Sequence, residues 1–358
     1  MTIRDNVRNV GPYSFTAHDA AVKLDQNESA WPLPDALRQQ IAAALAQVEL
    51  NRYPDLQPRR LAAGLARLHS WDAEGVTVAG GSNVLIQSAV IAAGVGRTVL
   101  TVSPTFAVYA LQGQLLAADV RQVPLGPGFS LPVAGLTEEL QRGSGVVFIA
   151  NPAAPTGNLH PRAELEQLIE AAADRWLFVI DEAYQQFADS DLSDLARSSN
   201  NVVVLRTMSK AVGLAGARLG YALSSPDIAE QLRKTILPFS VSELQEQVAL
   251  MLLEHADLIA DNVARTVKER ERMYGALLDL PGVEPFGSSA NFILFRVSAA
   301  QQVHERLLEG GVLIRRQDHL PGLAGCLRVS IGQPGENDLF LDTLTAIMKD
   351  RQKAGAGA

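Results

Sequence analysis

Four apolar runs, each ending in a polar residue, constrain this chain more than any other feature. Val76-Thr77-Val78 leads into Gly80-Gly81-Ser82-Asn83, and Val146-Val147-Phe148-Ile149-Ala150 leads into Asn151-Pro152. Trp176-Leu177-Phe178-Val179-Ile180 leads into Asp181-Glu182-Ala183-Tyr184, and Val202-Val203-Val204-Leu205 leads into Thr207-Met208-Ser209-Lys210. Unbroken apolar runs of this length are strands buried on both faces, as in parallel sheets covered by helices. Helical stretches alternate with such runs from about Tyr53 to Pro238, which predicts an α/β layer structure with a mostly parallel sheet. Ligands of open α/β sheets bind at the carboxyl edge of the strands, where these polar residues stand.

The polar residues carry a coherent chemistry. A lysine is ordinarily a solvated surface charge. Lys210 instead sits just past a buried strand, among small and hydroxyl residues, with Arg218 following in Gly213 to Tyr221. That setting suits an imine with pyridoxal phosphate, whose phosphate Thr207, Ser209 and Arg218 are placed to hold. Asp181 at a strand end suits the protonated pyridine nitrogen, although it also suits a helix cap. Tyr184 and Asn151 suit the phenolic oxygen. The Gly80-Gly81-Ser82 turn opens a helical pattern from Val84 to Ala93, whose exposed N–H groups attract a phosphate.

In this order the motifs resemble the fold-type I pyridoxal phosphate enzymes of the class I and II aminotransferases, and within them the histidinol-phosphate aminotransferases. Further matching stretches are Lys23 to Ser29, Arg52 to Asp55, Ser103 to Tyr109, Asn151 to Gly157, Asp181 to Phe187 and Arg206 to Tyr221. Near the end come Ala290 to Phe292, Gly311 to Arg316 and Leu327 to Gly332. The chain departs from the family at Asn83-Val84, where an acidic pair is commoner, and at Ala153 and Ala154, where asparagines are.

The resemblance implies a role for each matching residue. Lys210 is the Schiff-base lysine and proton shuttle, Asp181 pairs with the pyridine nitrogen, and Asn151 and Tyr184 hold the phenolic oxygen. Thr207, Ser209, Arg218, Ser82 and Asn83 bind the cofactor phosphate, and Phe106 stacks on the ring. Tyr53 reaches the cofactor phosphate of a neighbouring subunit, which implies a homodimer. Arg328 clamps a substrate carboxylate, while Tyr13, Asn27 and Arg315 face the substrate phosphate. The implied reaction is transamination of L-histidinol phosphate with 2-oxoglutarate, giving imidazole acetol phosphate and L-glutamate in histidine biosynthesis. Rivals are an aromatic amino-acid transaminase, a threonine-phosphate decarboxylase and a non-catalytic regulator built on the same domain.

The residues themselves constrain the arginines. Arg315 and Arg316 are adjacent on a strand-like run and must face opposite sides, so one of them faces a site. Arg328 lies between apolar residues, and a buried arginine needs an anion partner.

The expected architecture is a three-layer α/β/α large domain with a mostly parallel sheet, plus a smaller α+β domain. Residues 1–50 are expected to form an arm and a helix, Asp35 to Val48, packing on the small domain. Residues 51–245 form the cofactor domain. Residues 246–358 supply a long linking helix, part of a helical region from Val241 to Leu278, and the small domain, with Gln301 to Glu309 as a helix. The net charge of −8 argues against nucleic acid as a partner. The N-terminus has no apolar signal core, and no apolar stretch is long enough to span a bilayer. One cysteine, Cys326, forms no internal disulfide, and six scattered histidines show no metal-ligand spacing. A cytoplasmic enzyme is expected.

Overall fold

A computed structural model describes residues 2–11, 18–188 and 190–356. Among the described residues, twelve strands form two sheets: β1 (Val22–Leu24), β2 (Val76–Ala79), β3 (Thr98–Ser103), β4 (Asp119–Pro124), β5 (Gly145–Ala150), β6 (Trp176–Asp181), β7 (Val202–Thr207), β8 (Gly220–Leu223), β9 (Val283–Pro285), β10 (Phe292–Val297), β11 (Val312–Arg316) and β12 (Cys326–Ser330). The larger sheet has the order β2-β8-β7-β6-β5-β3-β4. Only β8 runs against its neighbours. The smaller sheet has the order β1-β11-β12-β10-β9 and is antiparallel except for the β1–β11 pair.

The apolar runs are continuous because both faces of the larger sheet are buried. Val147, Ile149, Phe178, Ile180, Val202 and Val204 point to one core, which receives Leu61 and Leu65 from helix Arg59–Leu68. Val146, Phe148, Val179, Val203 and Leu205 point to the other, which receives Leu85 and Ile86 from helix Ser82–Ala89. Side chains alternate along a strand, so each strand supplies both cores, and helices on both faces complete three layers. Each fully buried large apolar side chain contributes roughly 1.5–3 kcal/mol.

Around the smaller sheet, a separate core gathers Phe295 from β10, Leu307 from helix Ala300–Glu309, and Phe340 and Leu344 from the last helix, Pro334–Ala356. The two units also touch directly. Phe129, in the loop after β4, packs edge-on against Phe286 with ring centroids 5.0 Å apart.

Two placements differ from the sequence reading. Helix Asp35–Leu45 turns Leu37 and Ile41 into the large core beside helix Glu243–Leu253, whereas it was expected on the small domain; only β1 of the N-terminal arm joins the smaller sheet. The helical region after Val241 is two helices, Glu243–Leu253 and Ala256–Leu278, broken at Glu254-His255. Ala249 and Leu252 serve the large core, while Met273 and Leu277 serve the small one. The break lets one apolar stretch change partners. Among the described residues, no helix is long and apolar enough to cross a membrane.

Candidate active site

The carboxyl ends of β5, β6 and β7 lie side by side, because these strands are consecutive neighbours in register. The backbone N–H of Asn151 donates to the Asp181 carbonyl at 2.9 Å. The Asp181 carboxylate is 5% exposed. Its Oδ2 accepts from the Tyr109 hydroxyl at 2.7 Å and its Oδ1 from the Ala183 N–H at 3.1 Å. Burial pushes its carboxyl up, against the pull of these two donors.

Lys210 follows β7 on a loop. Its Nζ donates to the Gln26 carbonyl at 2.9 Å and lies 5.8 Å from the centre of the Tyr184 ring. Burial brings its amine down to about 8, helped by the positive charges of Arg328 and Arg218. The same loop builds a cradle for an anion. The Arg218 guanidinium donates to the Ser209 hydroxyl at 3.4 Å, and the Ser209 N–H donates to the Thr207 hydroxyl at 3.1 Å. Arg218 itself has φ 54°, a left-handed conformation uncommon outside glycine.

The opening turn of helix Ser82–Ala89 comes within reach of that arginine. Gly81 has φ 104°, and a Cβ there would lie 3.0 Å from Arg218 Nη2. A Cβ at Gly220 would lie 2.4 Å from the Ser82 backbone nitrogen. Glycine at these two positions brings the helix N-terminus, the arginine and the Ser209 hydroxyl together. Asn83, in the first turn, is exposed.

A cavity of about 810 Å³ adjoins the lysine. Its lining includes Asn27, Phe106, Tyr184, Lys210, Arg315 and Arg328. Arg316 faces away and pairs with Asp318 at 2.9 Å, as two adjacent strand residues require. Arg328 donates to the Asp25 carbonyl at 2.8 Å, with its guanidinium 5.3 Å from the centre of the Phe292 ring. His319 also lines the cavity.

Asn27 is 1% exposed and fully engaged. Its amide donates to the Tyr184 hydroxyl at 2.9 Å, and its carbonyl oxygen accepts from Ser330 at 3.1 Å. Its side chain therefore orients Tyr184, a role that the sequence reading, which turned it toward a substrate phosphate, did not include. Tyr53 stands apart from this assembly. It is 84% exposed, with its ring 5.0 Å from that of Phe239. Tyr13 lies outside the described residues.

Behind the strand edge, Arg206 and Glu182 form a buried pair. Arg206 Nε and Nη2 both donate to Glu182 Oε2, at 2.9 and 2.7 Å. Sequence reasoning missed this pair and Tyr109. The Tyr109–Asp181 contact spans 72 positions and has no local signature.

The model for "Aminotransferase class I and II" matches residues 20–344. The chain belongs to that family. It is 41% identical over 348 residues to the histidinol-phosphate aminotransferase of Deinococcus radiodurans, covering 96% of each chain. It is 38% identical to histidinol-phosphate aminotransferase 2 of Cupriavidus pinatubonensis, covering 97% of each. Its fold matches the Sinorhizobium meliloti histidinol-phosphate aminotransferase solved with pyridoxal-5'-phosphate, with TM-score 0.88, 23% identity and 98% of each chain covered.

The residues present fit that cofactor. Among the described residues, Asn151 Nδ2 is buried without a hydrogen-bond partner, while Asn151 Oδ1 accepts from the His160 N–H at 2.7 Å. One amide donor is thus free for a ligand oxygen beside Asp181 and Tyr184. The anion cradle stands at the same strand edge.

Proposed function

We propose that this chain is a pyridoxal phosphate-dependent transaminase that moves the amino group of L-histidinol phosphate to 2-oxoglutarate, giving imidazole acetol phosphate and L-glutamate. The observation that carries this reading is the convergence of Lys210, Asp181 and the free Asn151 amide on one strand edge. The substrate assignment is supported by full-length similarity to relatives bearing that name.

When bound, the cofactor supplies a covalent carrier for the amino group and a cationic ring that accepts electrons. The chain's residues do the rest. Asp181 would hold a proton at the ring nitrogen, and Asn151 and Tyr184 would donate to the phenolic oxygen. Arg218, Ser209, Thr207 and the Ser82–Asn83 turn would bind the phosphate, and Phe106 would cover the ring. Lys210 would be the group that takes the proton from the substrate carbon and holds it for return. Arg315 and Arg328 bind the substrate anions: the phosphate of histidinol phosphate and the carboxylates of glutamate. Histidinol phosphate has no carboxylate, so the arginines must accept either anion.

Exposed apolar side chains, among them the Tyr53–Phe239 pair, support a homodimer in which Tyr53 reaches the partner's cofactor phosphate. The compartment proposed is the cytoplasm, where a single buried thiol, Cys326, stays reduced.

The test mixes cofactor-loaded protein with L-histidinol phosphate, L-phenylalanine or L-threonine phosphate, each without acceptor. Conversion of the visible band to that of the amino form is fastest with histidinol phosphate. Faster conversion with phenylalanine moves the assignment to aromatic transamination. Carbon dioxide release from threonine phosphate moves it to decarboxylation.

A further inference from the structure

We infer that Tyr109 is the positioning residue that keeps Asp181 ionised, and thereby keeps the proton on the cofactor ring rather than on the carboxyl group. This rests on the reading that Asp181 faces the ring nitrogen. Tyr109 has no exposed surface. Its ring lies parallel to Phe148, 4.8 Å between centroids with 4° between planes, and Phe106 meets it edge-on at 5.6 Å. These contacts fix the hydroxyl against Asp181 Oδ2 at 2.7 Å.

The chemistry follows from what the carboxylate has around it. A buried carboxylate is costly unless donors satisfy it. Asp181 has one donor per oxygen, the Ala183 N–H and the Tyr109 hydroxyl. The backbone donor is available to any residue at 181, so the phenol is the side-chain contribution. A carboxylate that accepts a phenol proton is a weaker base and competes less well for the proton it shares with the ring. The phenol itself does not ionise in the working range, because burial and the Asp181 charge push it well above its usual value. Tyr184 is the other titratable group whose charge bears on Tyr109. Tyr109 has no exposed surface and its hydroxyl meets Asp181 Oδ2, so its effect passes through Asp181.

The experiment follows the visible band of protein-bound pyridoxal phosphate against pH, at saturating cofactor, in the full-length protein. Tyr109→Phe keeps the stacked ring and removes the donor. Its pH midpoint rises by about half a unit or more, as expected for losing one hydrogen bond to a charged group. Asp181→Asn raises the midpoint at least as far, and adding Tyr109→Phe to Asp181→Asn moves it no further. 3-Fluorotyrosine incorporated at Tyr109 keeps the shape, strengthens the donor and lowers the midpoint; it serves equally if the phenylalanine variant does not fold. A midpoint unchanged in both Tyr109 proteins, with Asp181→Asn shifted, overturns the role of Tyr109 and leaves the site reading standing. A midpoint unchanged in Asp181→Asn overturns the site reading, and this inference with it.

Discussion

Lys210 donates its amine to the backbone carbonyl of Gln26 at 2.9 Å, across 184 positions of the chain. A neutral carbonyl orients the ammonium without cancelling its charge. Burial and the nearby Arg328 therefore dominate and bring the amine to about 8. Between that value and the ordinary lysine value of about 10.4, the unfolded chain binds more protons at this site than the folded one. Stability from this group is accordingly lowest below pH 8 and grows as the pH rises through that window. In cofactor-free protein, Lys210→Met should remove this rise. Urea unfolding of both proteins at pH 7.5 and pH 10 checks it, and parallel pH dependences would refute it.

Gly81 sets the distance between helix Ser82–Ala89 and Arg218. Gly81→Ala adds a Cβ 3.0 Å from the guanidinium at a φ of 104°. The backbone strain should cost roughly 1–3 kcal/mol. The cofactor dissociation constant should rise by about tenfold, one charge-assisted phosphate contact being lost. Thermal unfolding and equilibrium dialysis measure the two effects separately.

Arg206 and Glu182 are 2% and 1% exposed at their side chains. Each adjoins a site residue in sequence, Thr207 and Asp181. Arg206→Met leaves Glu182 buried with a charge its remaining Leu192 N–H donor cannot balance. The unfolding free energy should fall by about 3 kcal/mol. Denaturant titration gives the value, and a loss below about 1 kcal/mol would mean that Glu182, whose carboxyl burial already pushes up to about 7, sheds its charge by taking a proton.

Leu237 and Phe239 are 79% and 43% exposed, and the Phe239 ring lies 5.0 Å from that of Tyr53. If a second copy covers them, Leu237→Asp should turn a dimer into a monomer in sedimentation velocity and weaken cofactor retention, because Tyr53 then has no partner site. A monomeric parent protein would exclude the shared site.

Much of this architecture was legible because the strands are buried on both faces. Val202 to Leu205 and Trp176 to Ile180 admit no other reading, and their carboxyl ends mark where Lys210 and Asp181 must stand. The separation of Arg315 from Arg316 followed from strand alternation alone. What stayed illegible depends on contacts between distant segments. Helix Asp35–Leu45 has an apolar face but no mark of which core receives it. Glu254-His255 contains neither glycine nor proline, so the break there has no local signal. The pairings of Asn27 with Tyr184 and of Tyr109 with Asp181 join residues that nothing in the sequence links.

Strand β1 pairs with β11 at the edge of the smaller sheet, and Asn27 is fastened to Ser330, 303 residues away. Ribosomes make the early segment first. While the middle of the chain emerges, β1 has no β11 to pair with and Asn27 lacks Ser330, although β6 and β7, which lead to Tyr184 and Lys210, already have each other. The floor that orients Lys210 and Tyr184 closes only when the last strands leave the exit tunnel. A nascent chain can thus assemble its larger sheet early, yet it becomes competent for chemistry only once its two ends have been sewn together.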